Sequence, residues 1–228
     1  MPNQSTGCLE RDGFSLHHKL LDHNALSALR AGIDALAADT AVYGVRDLRR
    51  RLPVLEAVLG SAVVRESATR YLGADARPVR SILFDKTSSH NWSVPWHQDR
   101  TVAVAGKADV AGFGPWSIKD GAFHVEPPAA MLERMVTFRI HLDPARADNG
   151  ALMVLPATHA HGRLARKDVA DLVRECQPII CSAEPGDVLA MRPLLLHASR
   201  RAAKPDRRRV VHVEYCAQQL PGPLAWAE

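Results

Sequence analysis

The sequence predicts a mainly β fold with helices, a β-sandwich or jelly roll core flanked by N-terminal helices. Three observations predict it. Apolar residues at helical three-and-four spacing concentrate in the first third of the chain. About eight strand-like segments follow, some alternating cleanly between apolar and polar residues. Turn signals at Asp148-Asn149-Gly150, Pro185-Gly186-Asp187 and Pro205-Asp206 punctuate them. Helices first and strands after suit a two-layer β core that carries helices on one sheet.

Each element follows in order. The stretch "LLDHNALSALRAGIDALAAD" (20–39) puts Leu26, Leu29, Ile33 and Leu36 on one helical face. A second helix is expected from Asp47 to Leu72, disturbed near Pro53 and closed by Gly73. "VRSILFDK" (79–86) reads as the first strand. Residues 100–130 carry four glycines and three prolines with little sustained period, so a long loop of the functional kind is expected. A short helix in "PPAAMLER" precedes "MVTFRIHLD", in which Val136, Phe138, Ile140 and Leu142 face one way and Thr137, Arg139 and His141 the other. "NGALMVLP" is a strand and "KDVADLVREC" a short helix. "QPIICSA", "GDVLAMR", "PLLLHAS" and "RRVVHVEYC" complete the strands. With no internal repeat, one domain over 1–228 is expected, helical to about residue 75 and β from about 79 to 216.

Composition narrows the function classes. At 228 residues, 46% hydrophobic and 24% charged, the chain suits a soluble globular enzyme or binding domain. No apolar run approaches the ~20 residues of a membrane span. The start, "MPNQSTGCLERDGF", lacks the basic and apolar parts of a secretory signal, so a cytoplasmic location is expected. Cys8, Cys176, Cys181 and Cys216 form no C-x2-C pair, which argues against a zinc knuckle. The net charge of +4 leans on "SRRAAKPDRRR" (199–209), which has no interleaved aromatics and is broken by Asp206. No nucleic-acid partner is expected from it. Oligomeric state leaves no signal.

Two His-x-Asp triplets occur, His97-Gln98-Asp99 in "VPWHQDR" and His141-Leu142-Asp143. In a strand, residues i and i+2 share a face, so either pair could reach one ion. His197 in "LLLHAS" is the best third ligand, with Ser199 two residues on. Four candidate strands separate Asp99 from His197 and three separate Asp143 from it, and Asp143-Pro144 already begins a turn. The first triplet fits better as a neighbour across a barrel mouth. His97, Asp99 and His197 are therefore the candidate metal ligands, and His141 is a pocket-lining or ordinary strand histidine. Two neutral imidazoles and one carboxylate suit ferrous iron with positions left open.

With these residues in view, the chain resembles the phytanoyl-CoA dioxygenase family of Fe(II)- and 2-oxoglutarate-dependent oxygenases. The resemblance runs through "DGFSLHHKLLD", "VPWHQD", "DNGALMVLPATHAHG", "PGDVLAMRPLLLHAS" and the C-terminal arginine-led strand. Their order and spacing carry it. Ala157-Thr158 replaces a commoner Gly-Ser, at a turn and away from the metal. The resemblance implies a double-stranded β-helix core of the jelly roll or cupin type. It implies Fe(II), with 2-oxoglutarate and O2 as cosubstrates, and hydroxylation of a small molecule at an unactivated C–H with release of succinate and CO2. Ser199 resembles the family's hydroxyl donor to the far carboxylate of 2-oxoglutarate. The family's arginine falls on Arg208, with Arg207 and Arg209 as the neighbouring registers, and a bidentate contact suits it.

Lys86 resembles a position flanking the cosubstrate; a solvated lysine at a strand end is the other reading. Arg139 is a candidate anchor for an anionic group, or else a residue of an exposed strand face. Trp116, His124 and Trp226 are candidates for a substrate pocket, with core packing as the alternative. A cupin-type metal-binding hydrolase, isomerase or ligand sensor would share His97, Asp99 and His197 without needing Ser199 or Arg208.

Overall fold

Proline and glycine cut the N-terminal third more finely than its apolar periodicity suggests. The computed structural model describes residues 5–38 and 44–228; Asp39, which ends the first expected helix, and residues 1–4 of the N-terminal stretch lie outside them. The described chain starts with β1 (Ser5–Thr6), α1 (Leu9–Asp12), β2 (Phe14–His17) and α2 (His23–Ala38). Next come β3 (Gly44–Arg46), α3 (Leu48–Arg51), α4 (Pro53–Leu59) and α5 (Ala62–Leu72). The single helix expected over Asp47–Leu72 is thus three. Pro53 has no N–H to continue α3 and instead opens α4, while Gly60-Ser61 separates α4 from α5. Gly73 closes α5 as expected.

The strand expected at 79–86 is β4 (Arg77–Lys86), the fourth and not the first. The earlier strands have two to four residues, too few for alternation to register. Beyond it lie β5 (Val94–His97), β6 (Val102–Val104), β7 (Trp116–Lys119), β8 (Ala122–Val125), α6 (Ala129–Leu132) and β9 (Met135–His141). The chain continues through β10 (Leu152–Val154), α7 (Arg166–Glu175), β11 (Ile179–Cys181), β12 (Val188–Met191), β13 (His197–Ser199) and β14 (Arg208–Cys216).

Two facing sheets make the jelly roll. One contains the order β12-β9-β14-β4, extended by β2 and β1 on one side and β3 on the other; its partner runs β11-β10-β13-β5. Both are antiparallel throughout. The expected loop at 100–130 holds a third antiparallel sheet, β6-β8-β7, so the loop reading is corrected there. Asp120-Gly121, both at positive φ, form the two-residue turn between β7 and β8, a hairpin signal visible in the sequence.

Alternation sets what each face of the large sheet does. Val136, Phe138, Ile140, Val211, Val213 and Tyr215 pack under Leu29, Ile33, Leu48 and Leu55 of the helices. The opposite faces of β9 and β14 carry polar residues into the space between the two sheets. No described helix is long and apolar enough to cross a membrane.

Candidate metal centre and its pocket

His97 ends β5 and His197 begins β13, and the two are register partners, with ring centroids 4.1 Å apart. Each Nδ1 donates to a main-chain carbonyl, that of Pro95 at 2.8 Å and that of Leu195 at 2.9 Å. Those bonds fix the neutral tautomer whose Nε2 lone pair is free, the form a metal ligand requires. His97 Nε2 lies 3.7 Å from Asp99 Oδ1 and His197 Nε2 lies 3.6 Å from Asp99 Oδ2. One ligand atom from each of the three residues falls within 4.8 Å of the others, and no other such group occurs among the described residues.

Asp99 sits just past β5, where its N–H donates to Pro193 O at 2.8 Å and fixes the carboxylate beneath the two rings. Burial alone would raise its pKa, but His197, His212, His97 and Arg80 outweigh burial and hold the carboxyl well below its usual range. Its Oδ2 is buried and accepts no hydrogen bond. His197 is pushed down to about 4, chiefly by burial, with Asp99 opposing. Two neutral imidazoles and an ionised, under-coordinated carboxylate form a ready cation site.

The residue between the ligands works on the other side. Gln98 Nε2 donates to Gly162 O and to Leu194 O, each at 2.7 Å, and its Oε1 accepts from Leu164 N–H at 2.9 Å. It ties the segment after β10 to the approach of β13. Thr158 adds a second tie, donating to Leu155 O at 2.7 Å and accepting from Leu196 N–H at 2.9 Å. Ala157 has φ +63°, a conformation that favours glycine and gives a physical reason for glycine at this turn.

A cavity of about 230 Å3 opens beside the three ligands, lined further by Lys86, Arg139, Ser199 and Arg208. Alternation along β14 separates the three arginines. Arg207 bonds Asp34 at 2.7 Å and Asp85 at 3.0 Å, and Arg209 grips Asp143 at 2.8 and 2.9 Å. Arg208 points the opposite way, is 3% exposed and has no carboxylate partner among the described residues. Burial pushes its pKa down to about 10, with Arg139 adding to the effect. Its Nε lacks a hydrogen-bond acceptor. A buried, unpaired guanidinium is costly unless an anion meets it.

Lys86, paired in register with Arg208, donates to Ser199 Oγ at 2.9 Å, and Ser199 Oγ donates to Gly150 O at 3.0 Å. Gly150 turns at φ +67°, and a Cβ there would meet Arg200 O at 2.8 Å, so only glycine brings this carbonyl under Ser199. Burial first, then Arg208 and Arg139, lower the Lys86 pKa to about 7.

Arg139 is buried on the cavity face of β9, so the exposed-face reading is corrected: the second sheet covers it. A polar row missed from the sequence runs on from it. Arg139 Nη1 donates to His212 Nδ1 at 3.2 Å, His212 Nε2 lies 3.4 Å from Glu214 Oε1, and Arg80 pairs with that oxygen at 2.7 Å. Counting by twos from Arg208 along β14 yields His212 and Glu214, the signal that could have found them.

Trp116 and His124 do not line this cavity. Trp116 packs against the cluster of Val102, Val125 and Leu220, and Trp226 joins the same cluster. His124 lies in a separate cleft of about 300 Å3 with Arg46, Arg50 and Arg80. Burial, then Arg80, push its pKa down to about 4.

Among solved structures, AviO1 from Streptomyces viridochromogenes Tue57 is similar at 22% identity, TM-score 0.69, with 93% of each chain covered. EctD from S. alaskensis with 2-oxoglutarate and 5-hydroxyectoine is similar at 20% identity and TM-score 0.71, over 91% of this chain and 73% of that one. The non-heme alpha ketoglutarate dependent carbocyclase SnoK from nogalamycin biosynthesis is similar at 16% identity and TM-score 0.68, over 91% and 80%. Comparison with curated proteins gives no match. These likenesses support the jelly roll. The family model of phytanoyl-CoA dioxygenase (PhyH) matches residues 9–210, and the chain therefore belongs to the phytanoyl-CoA dioxygenase family.

Proposed function

We propose that this chain, as one catalytic domain over 1–228, is an Fe(II)- and 2-oxoglutarate-dependent oxygenase. It hydroxylates an unactivated C–H of a small-molecule metabolite and releases succinate and CO2. The carrying observation is the pairing of a His-Asp-His cluster with a buried arginine that has no carboxylate partner among the described residues, both on one cavity. The donor set fits ferrous iron, and the orphaned Asp99 Oδ2 is the buried acceptor a cation would satisfy. His97, Asp99 and His197 would hold the metal, which when bound supplies the coupling of 2-oxoglutarate decarboxylation to substrate oxidation by O2.

The chain's own residues do the rest. Arg208 binds the far carboxylate, and Ser199 joins it by turning its hydroxyl proton from Gly150 O to that anion, while Lys86 donates to the same Oγ. Val94, Leu152 and Ala198 wall the cavity and keep water from the cosubstrate. Lys86, with its pKa near 7, adds positive charge mainly below neutrality. The free cysteines Cys8, Cys176, Cys181 and Cys216 suit a reducing, cytoplasmic setting.

EctD crystallised with 2-oxoglutarate beside a hydroxylated compound supports hydroxylation, whereas the carbocyclase SnoK has this fold with a different outcome. A cupin-type hydrolase, isomerase or sensor leaves Arg208 without a partner. Anaerobic titration of the purified protein with ferrous iron and 2-oxoglutarate separates the readings. The oxygenase develops a weak visible charge-transfer band; the alternative develops none, and that result would end the proposal. Screening small metabolites for stimulated succinate release then finds the prime substrate.

A further inference from the structure

The cavity holds more positive charge than one distal carboxylate requires. Arg208 and Lys86, register partners across β14 and β4, form one end of it. Arg139 is the register partner of His212, four residues along β14 from Arg208 and so about 13 Å away along the strand. His141, opposite Val210, shares that inward face between them and is fully buried. Like Arg208, Arg139 has a buried Nε with no acceptor and no carboxylate partner among the described residues. It lines the same cavity as His97, Asp99 and His197, so it stands toward the metal ligands.

The guanidinium is also held in a defined plane. Arginine only donates, so His212 Nδ1 must accept from Arg139 Nη1, leaving the proton on Nε2 to face Glu214. Glu214 is pinned in turn by Arg80. From the other side, Arg139 lies 5.8 Å from the Phe84 ring centroid. An arginine built into the wall this way, with its Nε unused, is prepared for a ligand anion.

We propose that Arg139 is a second anion anchor, which binds the carboxylate beside the keto group of 2-oxoglutarate while Arg208 binds the far one. The cavity then selects a dianion held at both ends. This rests on the cosubstrate assignment above. Arg139 acts as a specificity residue for the length and charge of the 2-oxo acid, and His212 as its positioning residue.

The test is calorimetric and needs no turnover. Iron-loaded protein under anaerobic conditions is titrated with 2-oxoglutarate and with 2-oxopentanoate, which has the same carbon number but lacks the far carboxylate. Arg208→Gln should weaken 2-oxoglutarate roughly tenfold or more and leave 2-oxopentanoate unchanged. Arg139→Gln should weaken both by roughly tenfold or more. Wild-type protein that binds 2-oxoglutarate and responds at Arg208, with both affinities unmoved by Arg139→Gln, overturns this inference alone. Wild-type protein that binds neither acid overturns the cosubstrate assignment with it. If Arg139→Gln does not fold, Arg139→Lys keeps the charge but loses the planar fork. It should bind both acids about threefold or more weakly, and wild-type affinity in that variant overturns the inference equally.

Discussion

The triplets His97-Gln98-Asp99 and His141-Leu142-Asp143 have the same spacing and opposite surroundings. The first lies at the end of β5, an edge strand of its sheet, facing β13 and a second histidine. The second lies at the end of β9, between β12 and β14. His97 has its Nδ1 occupied by a main-chain carbonyl and its Nε2 free, whereas neither nitrogen of His141 has a hydrogen-bond partner. Asp99 has imidazoles around it and no arginine within bonding distance among the described residues; Asp143 is gripped by Arg209 through both oxygens and also by the Arg209 N–H at 2.8 Å. A carboxylate already neutralised by a guanidinium has little left to offer an ion. The difference teaches that a ligand pair is defined by what stands across from it.

The comparison breaks most visibly at the two carboxylates. Asp99→Ala should lower Fe(II) affinity by more than the ~10–100-fold that loss of a group supporting a ligand costs. Asp143→Ala should leave Fe(II) affinity in place and destabilise the fold by about 1.5–3 kcal/mol, because buried Arg209 loses three hydrogen bonds to that carboxylate while keeping Asp34 at 2.9 Å. In a thermal melt that is a loss of roughly 5 °C. Equal loss of iron binding in both variants would refute the distinction between the triplets.

Adjacent arginines repeat the contrast on one strand. Arg208→Ala should weaken 2-oxoglutarate binding by about 1.5–3 kcal/mol, the worth of hydrogen bonds to a charged group, and cost the fold little. Arg209→Ala should do the reverse, lowering the melting temperature while calorimetric affinity for 2-oxoglutarate holds. If Arg209→Ala is the one that loses 2-oxoglutarate, the anchor lies one residue further along β14 than proposed.

Where sequence reading succeeded, a short-range rule sufficed. Alternation in β9 and β14 correctly divides Phe138 and Val211, packed under the helices, from Arg139 and Arg208 on the cavity side. The same rule cannot distinguish a face toward water from a face toward a cavity, so it leaves both readings of Arg139 open and gives no sign that His212, Glu214 and Arg80 form a row. Only the second sheet, formed by residues far along the chain, decides which of these it is. The small strands β1 to β3 and β6 are illegible for another reason: they have two to four residues, and their partners rather than their own pattern make them strands, while Asp120-Gly121 is the one local mark of β7 and β8. A loop at 100–130 would bring His124 and Trp116 to the pocket, whereas the sheet found there points them elsewhere.

The smallest effect sharpens the comparison through pH. Burial, reinforced by Arg139 and Arg208, lowers the His141 pKa from 6.5 to about 3. Between those values the unfolded chain binds a proton that the folded chain refuses, so stability falls as pH falls. The contribution of neutral His141 is fully present above about pH 6.5 and drains away toward pH 3. At pH 5 its share of the loss is about 2 kcal/mol. His141→Leu should therefore flatten the fall in melting temperature between pH 6.5 and 4, though His197 and His124 keep part of the slope. At pH 7 the variant should melt no lower than wild type, since two unpartnered buried nitrogens are removed. Parallel melting curves for His141→Leu and wild type across that range would mean that His141 is not the neutral, buried histidine described.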